Sequence, residues 1–374
     1  MALKVADLFC GTGGFSYGFS YFEQFEVVLG IDIKQTSIET FAANHPHALS
    51  ICQDIKQLRV REIAERLGLG PGEIDVVIAG PPCQGFSSIR PYRSINEDDE
   101  RNNLFEQLVI FVGFFNPRFV VFENVVGLLY HKKGQVLENI KRSFEDLGYK
   151  VAIDVLNAVY FGVPQRRERI VLLAHKGKNS PGFPSPTHQY NGRFTTNRFS
   201  IAPIFSYELP PAITLADAIF DLPPVPSGGE VTEYYEGFPM SEYAQERRRG
   251  SQFLTLHSST RHTPRMLEII RQAGANRWAL PEGLTTSGFS TCYSRLDANE
   301  PSNTITVNFV HPASNRCIHP VQDRALTPRE GARLQSFDDT FIFCGSRTEI
   351  VKQIGEAVPP LLGRAIAKSL LEQW

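Results

Sequence analysis

The stretch DLFCGTGGFSYGF, residues 7–19, contains the strongest local signal for the fold. An apolar, strand-like run at 4–9 leads into a turn with Gly11, Gly13 and Gly14, and a helix-like segment follows. Glycines in such a turn let backbone amides come close to a ligand. The spacing differs from the G-x-G-x-x-G of dinucleotide-binding folds, and a purely structural turn fits this stretch equally well.

Two acidic residues follow the next apolar runs along the chain. Asp32 lies at the end of the strand predicted at 27–33, a place suited to binding ribose hydroxyls. Asp54 follows the next strand-like segment, where it could hold an adenine amino group or act as the N-cap of the helix that follows. Together with the glycine-rich turn, these residues predict a nucleoside-containing cofactor.

Strand-like and helix-like segments alternate over the first part of the chain. Strands are predicted at 4–9, 27–33, 75–79, 119–122, 151–156 and 169–174, and helices at 35–44, 55–67, 102–115 and 135–147. This alternation is typical of an α/β fold with a parallel sheet and helices on both faces. Such sheets bind ligands at the carboxyl ends of their strands, beside the topological switch point.

The composition changes after Lys176. Residues 179–240 are rich in proline, glycine, serine and tyrosine and show no sustained period, which predicts a second, smaller, loop-rich domain, with a disordered linker as the alternative for parts of it. Regular patterns return with a helix at 263–272, an alternating strand-like run at 304–309 and an amphipathic helix at 359–374.

The totals for the whole chain limit the class of protein. The 374 residues, 42% of them hydrophobic, are enough for two domains with a sizeable core. The longest apolar run, at 108–115, is far shorter than the roughly 18 to 20 residues that cross a bilayer, and no signal-peptide pattern begins the chain. The six cysteines, at 10, 52, 83, 292, 317 and 344, lack the spacing of a disulfide framework or a zinc site. We therefore expect a cytoplasmic protein with reduced thiols, no metal and no membrane segment.

Two basic patches stand out on a chain whose net charge is only −2. Residues 241–280 contain seven arginines and three glutamates, and residues 158–178 contain five basic residues and one acid. Local excesses of this kind suit a partner with a phosphate backbone, although either patch alone is also compatible with solvated surface arginines.

The sequence GPPCQGFSS, residues 80–88, places Cys83 just beyond the strand predicted at 75–79. A thiol beside a cofactor crevice is suited to nucleophilic catalysis, and nearby amides would lower its pKa. The alternative, an inert buried cysteine, fits poorly because the surrounding residues are polar and turn-like. The next strand brings Glu123 and Asn124 to the same edge, where a half-buried carboxyl group could stay protonated and donate a hydrogen bond.

Six motifs in order resemble those of the DNA cytosine-5 methyltransferases of bacterial restriction-modification systems. They are DLFCGTGGFS (7–16), GPPCQGFS (80–87), FENV (122–125), PQRRERI (164–170), LTPREGARLQSF (326–337) and QIGEAV (353–358). The uncovered part, roughly 176–290, is where this family has its variable target-recognition region. The resemblance implies an α/β, Rossmann-like S-adenosylmethionine-dependent methyltransferase domain with a mostly parallel sheet (1–176 and 345–374). It also implies a smaller loop-rich domain (177–344) that contains the target-recognition region, at about 180–290.

By the same resemblance, the cofactor is S-adenosyl-L-methionine. The residues implied to bind it are Phe9, Gly11, Thr12 and Gly13 at the methionine part, Asp32 at the ribose, Ile33, Asp54 and Ile55 at the adenine, and Pro82, Leu104, Glu356 and Ala357 closing the pocket. Glu356 departs from the family, which usually has asparagine at this position. A main-chain contact would survive that change, whereas a side-chain contact would not survive unaltered.

The resemblance also implies roles around the reacting base. Cys83 attacks C6 of cytosine, Glu123 meets the charge that develops at N3, Arg167 lies against the carbonyl oxygen of the base, and Arg169 supports Glu123. The base must leave the helix, at a cost of a few kcal/mol, and the polar stretch 84–103 would close over it.

Double-stranded DNA is the implied partner. Candidate contacts are Gln84, Ser87, Arg247, Arg248, Arg249, His257, Arg261 and Arg265. Arg329 and Arg333 are expected to organise the small domain instead. We also expect a monomer that is functionally paired with a restriction endonuclease and has no stable protein partner.

Four other functions are weaker. An RNA-directed member of the same family typically shows a CFT tripeptide, which this chain lacks. A methyltransferase acting on exocyclic amines would show N-P-P-Y or D-P-P-Y and needs no cysteine. A non-enzymatic DNA-binding relative would be expected to lose Cys83 or Glu123, and a thiol hydrolase would need a histidine partner for Cys83 that the pattern does not provide.

Overall fold

The computed structural model describes residues 2–82, 104–192, 208–237, 239–285 and 289–374. Three predicted site residues, Cys83, Gln84 and Ser87, lie outside these ranges. No helix within the ranges is long and apolar enough to cross a membrane.

Within the described residues, seven strands form one mixed sheet. They are β1 (Leu3–Leu8), β2 (Phe25–Asp32), β3 (Leu49–Cys52), β4 (Val76–Ala79), β5 (Phe119–Val125), β6 (Lys150–Asn157) and β8 (Glu168–His175), in the order β3-β2-β1-β4-β5-β8-β6. Neighbours among the first five are parallel. The order reverses direction between β1 and β4, so the predicted switch point lies at the ends of these two strands.

The last two strands depart from a purely parallel sheet. β8 lies between β5 and β6 and runs antiparallel to both. The connection from Asn157 to Glu168 is short, whereas a parallel crossover usually needs a dozen or more residues. A hairpin-like return is therefore the favoured geometry, and it brings the PQRRERI segment next to the FENV segment.

Helices cover both faces of the sheet, as predicted. They are α1 (Gly14–Phe19), α2 (Gln35–Asn44), α3 (Val60–Leu67), α4 (Leu104–Phe115), α5 (Gln135–Asp146), α6 (Leu215–Ile219), α7 (Glu242–Arg248), α8 (Pro264–Gln272), α9 (Pro328–Leu334), α10 (Arg347–Glu356) and α11 (Pro360–Leu371). One core cluster joins the sheet to α3, α4 and α5, and a second joins its other face to α1, α2 and α11. Strand residues alternate between them: Ala6 and Leu8 belong to the first cluster and Val5 to the second.

The final helix completes the layer that begins with the first. α11 lies so close to α1 that a Cβ added at Gly18 would be 2.4 Å from the Pro360 carbonyl oxygen, and one at Gly363 would be 2.6 Å from that of Phe15. Only glycine allows this approach. The end of the chain thus returns to its beginning, in the manner of the split domain predicted from the sequence, although the domain boundaries stay a prediction.

Two predicted elements differ from the structure. The helix predicted at 55–67 is a short 3-10 turn at Ile55–Gln57 followed by α3, because Leu58 and Arg59 are extended. The strand predicted at 304–309 is wrong: only Ser302–Asn303 (β9) pairs, with Gln165–Arg166 (β7). Ile305 and Phe309 enter a third core cluster from a turn, so their spacing reflects burial without a strand.

Buried ion pairs hold the part of the chain around α9 together. Arg333 contacts Asp339 at 2.6 Å (Nη2 to Oδ2) and Asp221 at 3.1 Å (Nη1 to Oδ1), and Arg329 contacts Asp339 at 3.2 Å. All of these side chains are almost fully buried. The expectation that Arg329 and Arg333 organise this region is confirmed by their contacts.

Replacing Arg333 with methionine is expected to lower the free energy of unfolding by about 3 kcal/mol, because it leaves buried carboxylates short of a partner. Chemical denaturation of the purified protein measures the loss. Arg142→Met on α5 is a matched control, since its ion pair with Glu138 is exposed and should contribute less than about 1 kcal/mol. A loss for the Arg333 variant no larger than that of the control would contradict the expectation.

Candidate active site

The glycine-rich turn at the end of β1 has the backbone geometry expected of a ligand-binding loop. Phe9, Gly11 and Gly13 all have positive φ, at 61°, 52° and 80°. A Cβ at Gly13 would lie 2.8 Å from the ring of Phe41, so this turn has room only for glycine there. Thr12 between them is buried. The sequence of this turn therefore dictates a tight loop with its amides near the switch point.

Asp32 joins this turn to the end of β2. Its carboxylate accepts hydrogen bonds from the Gly11 and Lys34 amides, each at 2.9 Å. Burial raises the pKa of Asp32, and the two amide donors act in the opposite direction. A carboxylate has about four lone-pair sites, so Asp32 retains acceptor capacity for ribose hydroxyls.

The predicted adenine-lining residues lie beside this carboxylate. Ile33 follows β2 with 64% of its surface exposed, which is unusual for an apolar residue next to a sheet. Asp54 caps the 3-10 turn by accepting the Lys56 amide at 3.0 Å, so its N-cap role is confirmed. Ile55 is buried beneath it.

The remaining predicted cofactor residues lie on three other segments. Pro82 is exposed at the last described position before the gap, Leu104 begins α4, and Glu356 and Ala357 end α10. The structure brings Glu356 to Lys34, next to Asp32 and Ile33, with 2.6 Å between Nζ and Oε2. Pro82 instead lines a cavity between α4 and α5 with Phe105.

A second carboxyl group, Asp7, lies beneath the glycine-rich turn. Its side chain is 1% exposed, and its Oδ2 has no hydrogen-bond partner among the described residues. Burial raises the pKa of Asp7 to about 7, although hydrogen bonds from Ser16 act to lower it. The sequence did not single out this residue, since an aspartate at a strand end gives no sign of how deeply it is buried.

We expect Asp7 to make stability fall as pH rises from about 4 to about 7. In this window the folded protein holds the proton and the unfolded chain has lost it, so deprotonation favours unfolding. Asp7→Asn should remove this contribution, and at pH 8 it should raise the free energy of unfolding on the order of 3 kcal/mol relative to the wild type.

Denaturation at pH 4.5 and pH 8 checks the Asp7 prediction, with the exposed Asp146→Asn as control. A pH of about 4.5 lies near the lower end of the window, and a pH of about 8 lies above its upper end. Equal stability changes for Asp7→Asn at both pH values would show that the carboxyl group does not titrate in this range.

Glu123 and Arg169 form the centre of the predicted catalytic site, where β5 and β8 pair. Arg169 on β8 contacts Glu123 on β5, with 2.9 Å between Nε and Oε1, and both side chains are largely buried. The antiparallel pairing places Arg169 opposite Val125, two residues beyond Glu123 on the same face. The contact between Arg169 and Glu123 that the sequence predicted is therefore present.

The segment that leads to Cys83 is held against Glu123. Ala79 pairs with Phe122, so Gly80 lies beside Glu123, and a Cβ on Gly80 would be 3.5 Å from the Glu123 Oε2. Asn124 donates from Nδ2 to the Pro81 carbonyl oxygen at 3.3 Å. Asn124 thus positions the two prolines, a role that the sequence analysis missed, although a polar residue at a buried strand end is a usable signal.

Arg167 contacts segments that are distant in the chain. Its buried guanidinium donates to the carbonyl oxygens of Ile305 and Ala357, at 3.1 and 2.9 Å. The residue falls between β7 and β8. Arg169 is the arginine that contacts Glu123, and Arg167 connects two chain segments, so its contact with the carbonyl oxygen of the base stays a prediction.

The predicted DNA contacts divide into exposed and buried residues. Arg249, Arg261 and Arg265 are exposed, and Arg248 lies over the ring of Tyr234 at 3.8 Å. Arg247 is buried against Asp338, at 3.0 Å. These four other arginines remain candidates for DNA contact, whereas Arg247 does not.

His257 is also withdrawn as a DNA contact. It is fully buried between the Thr327 hydroxyl, at 3.0 Å, and the Pro223 carbonyl oxygen, at 2.8 Å. Burial lowers its pKa, so a neutral ring fits this place. Both His257 and Arg247 have partners distant in sequence, which explains why they resembled surface residues.

Comparison with known proteins agrees with this geometry. The chain is 33% identical to the Type II methyltransferase M.AgeI of Thalassovita gelatinovora, over 98% of this chain and 99% of that protein. It is 35% identical to the Type II methyltransferase M1.HphI of Haemophilus parahaemolyticus, over 100% of this chain and 87% of the relative.

A similar fold is found among solved structures. A protein described as a DNA modification methyltransferase encoded within an E. coli prophage superimposes with a TM-score of 0.76 at 24% identity, covering 99% of each chain. A sequence model of the family described as "C-5 cytosine-specific DNA methylase" matches residues 3–372. The chain therefore belongs to the C-5 cytosine-specific DNA methylase family.

Proposed function

We propose that the protein transfers a methyl group from S-adenosyl-L-methionine to C5 of a cytosine in duplex DNA, through a bond between Cys83 and C6. The observation that carries this proposal is the Glu123 and Arg169 pair, which lies beside the Gly80 and Pro81 segment that leads to Cys83. The glycine-rich turn and Asp32, which are proposed to bind the nucleoside of the cofactor, follow neighbouring strands of the same sheet.

The crevice suits the proposed cofactor. Asp32 has acceptor sites left for ribose hydroxyls, and exposed Ile33 offers an apolar surface for a base. When bound, S-adenosylmethionine would supply an electrophilic methyl group. The residues proposed to hold it are Phe9, Gly11, Thr12, Gly13, Asp32, Ile33, Asp54, Ile55, Leu104, Glu356 and Ala357, with Pro82 nearby.

The predicted catalytic residues, Cys83, Glu123 and Arg169, would make C5 reactive. C5 of cytosine is a poor nucleophile, and attack of the Cys83 thiolate on C6 moves electrons toward N3 and turns the ring into an enamine. Glu123 would meet that charge with a proton or hydrogen bond, and Arg169 would hold Glu123 in place. After methylation, loss of the C5 proton and expulsion of the thiolate restore the ring.

The base must leave the double helix to reach this edge. We propose that residues 1–176 and 345–374 form the catalytic part and that residues 177–344 bind the duplex. Arg248, Arg249, Arg261 and Arg265 would then contact DNA, mostly at phosphates. A DNA substrate also implies a cytoplasmic protein in a bacterial cell.

Transfer of tritium from methyl-labelled S-adenosylmethionine to unmethylated duplex DNA tests the proposal, with tRNA in a parallel reaction. We expect label in 5-methylcytosine of the DNA and none in tRNA. Absence of label from DNA would contradict the proposal, and label in tRNA alone would support the RNA-directed alternative. Bisulfite sequencing of DNA from an expressing host would give the target sequence.

The Type II methyltransferases among the relatives also suggest a biological context. We propose that methylation protects host DNA from a cognate restriction endonuclease, with the methyltransferase acting as a monomer. Resistance of DNA from an expressing host to the paired nuclease would test the first statement, and sedimentation of the purified protein the second.

A further inference from the structure

An ion pair connects the ends of β2 and α10, two segments that the proposed function places around the cofactor. Lys34 directly follows Ile33 beyond β2, and its Nζ lies 2.6 Å from Oε2 of Glu356, the last residue of α10. The two residues are 322 positions apart in the chain. The pair therefore joins the early part of the crevice to the segment that returns from the small domain.

This pair is not what holds α10 against α2. The Thr40 hydroxyl donates to the Gln353 side-chain oxygen at 2.8 Å, and Gln353 donates to the Cys344 carbonyl oxygen at 2.8 Å. Both Thr40 and Gln353 are buried. The Lys34 and Glu356 side chains are 52% and 47% exposed, and such pairs contribute about 0–1 kcal/mol to stability. The fold thus has little need of the pair.

The positive charge of Lys34 lies near two carboxylates, Glu356 and Asp32. Glu356 adds a negative charge at the C-terminal end of a helix, where the helix dipole is already negative. Burial is the main cause of the raised pKa of Asp32; Glu356 adds to it and Lys34 opposes it. Lys34 therefore offsets two carboxylates. An asparagine, which is usual in the resembling family, would not pair with lysine in this way.

The segment that contains Glu356 has a second contact, at the next residue. Arg167 donates to the carbonyl oxygen of Ala357 at 2.9 Å. The end of α10 thus has a buried anchor at Arg167 and a solvent-exposed charged contact at Lys34. Only the exposed contact can open without disturbing the core.

We propose that the Lys34–Glu356 ion pair closes the outer rim of the cofactor crevice and slows release of the bound cofactor. The inference rests on the proposed function, in which this crevice holds S-adenosylmethionine. Lys34 is a positioning residue, and the Glu356 side chain acts through it: the pair keeps the ends of β2 and α10 together around the ligand.

Release of tritiated S-adenosylmethionine, chased with excess unlabelled cofactor, tests the proposal on the full-length protein. Lys34→Met and Glu356→Gln should each release cofactor about two- to fivefold faster at low salt, the range that an exposed ion pair can support. Raising the salt concentration should speed release from the wild type toward the variant rates, because salt screens exposed charges. The reversed pair, Lys34→Glu with Glu356→Lys, should restore slow release.

Glu138→Gln is the matched control, since Glu138 pairs with Arg142 at 3.2 Å on α5 with similar exposure and away from the crevice. It should leave release unchanged. Unchanged release in both single variants would overturn the inference, and so would a reversed pair as fast as the single variants. A wild-type protein that binds no labelled cofactor would overturn the proposed function itself, which makes the two failures distinguishable.

Discussion

Replacing Cys83 with serine is expected to lower kcat for methyl transfer to DNA by about 10⁴-fold or more, because an alcohol is a much weaker nucleophile than a thiolate near neutral pH. Cys83 lies outside the described residues, but the chain is described up to Pro82. Gly80 lies beside Glu123, and Pro81 accepts a hydrogen bond from Asn124. Single-turnover transfer of a labelled methyl group measures the loss.

The same variant should fail to form a covalent complex with DNA that contains 5-fluorocytosine at the target. Fluorine at C5 cannot leave as a proton does, so after methylation the bond between Cys83 sulfur and C6 would persist and survive denaturing electrophoresis. Cys52→Ser is the control, since Cys52 is an exposed thiol at the end of β3. A covalent complex with the serine variant, or transfer at the wild-type rate, would contradict the assignment of Cys83 as nucleophile.

The sheet and its helices could be predicted because their signals are local. Apolar runs predicted β1, β2, β4 and β5. The antiparallel position of β8 could not be predicted in this way, since strand order depends on connection length and on pairing between distant residues. That position is nonetheless what brings Arg169 to Glu123.

The site was predicted less well where a side chain has a partner far along the chain. Arg247 resembled a surface arginine, yet Asp338 pairs with it inside the protein. Arg167 and Arg169 have the same chemistry and are two residues apart, yet Arg167 donates to the Ile305 carbonyl oxygen and Arg169 contacts Glu123. Sequence spacing contains no information about either contact, because burial of a charge depends on the whole fold.

Asn124 and Lys34 are two residues whose contacts could not be predicted from the sequence. Both act on elements that the sequence did identify, the Pro81 segment and the end of β2. Each was missed because its function depends on one distance to a residue elsewhere. Motifs therefore predicted which segments form the candidate site, and the structure was needed to show which of their side chains are in contact.

Replacing Glu123 with glutamine is expected to lower kcat by about 10²- to 10³-fold, the usual contribution of a positioned general acid. Glutamine has nearly the same shape and can donate an amide hydrogen bond to N3, but it cannot transfer a proton. It also replaces the carboxyl group that contacts the Arg169 Nε at 2.9 Å with an amide. DNA and cofactor affinity should change much less than kcat, because the loss concerns charge that develops only during attack on C6.

A comparison with Arg169→Met separates the two roles of Glu123. If Glu123 acts at N3, the glutamine variant should lose rate even where the fold and DNA binding are intact, and its covalent complex with 5-fluorocytosine DNA should form slowly. If Glu123 serves only to satisfy Arg169, both variants should show the same loss of stability and similar rates. Glu106→Gln is the control, since Glu106 is an exposed carboxylate on neighbouring α4. A glutamine variant with wild-type kcat would show that Glu123 is not the proton source for N3. The mechanism would then need a different acid at this edge.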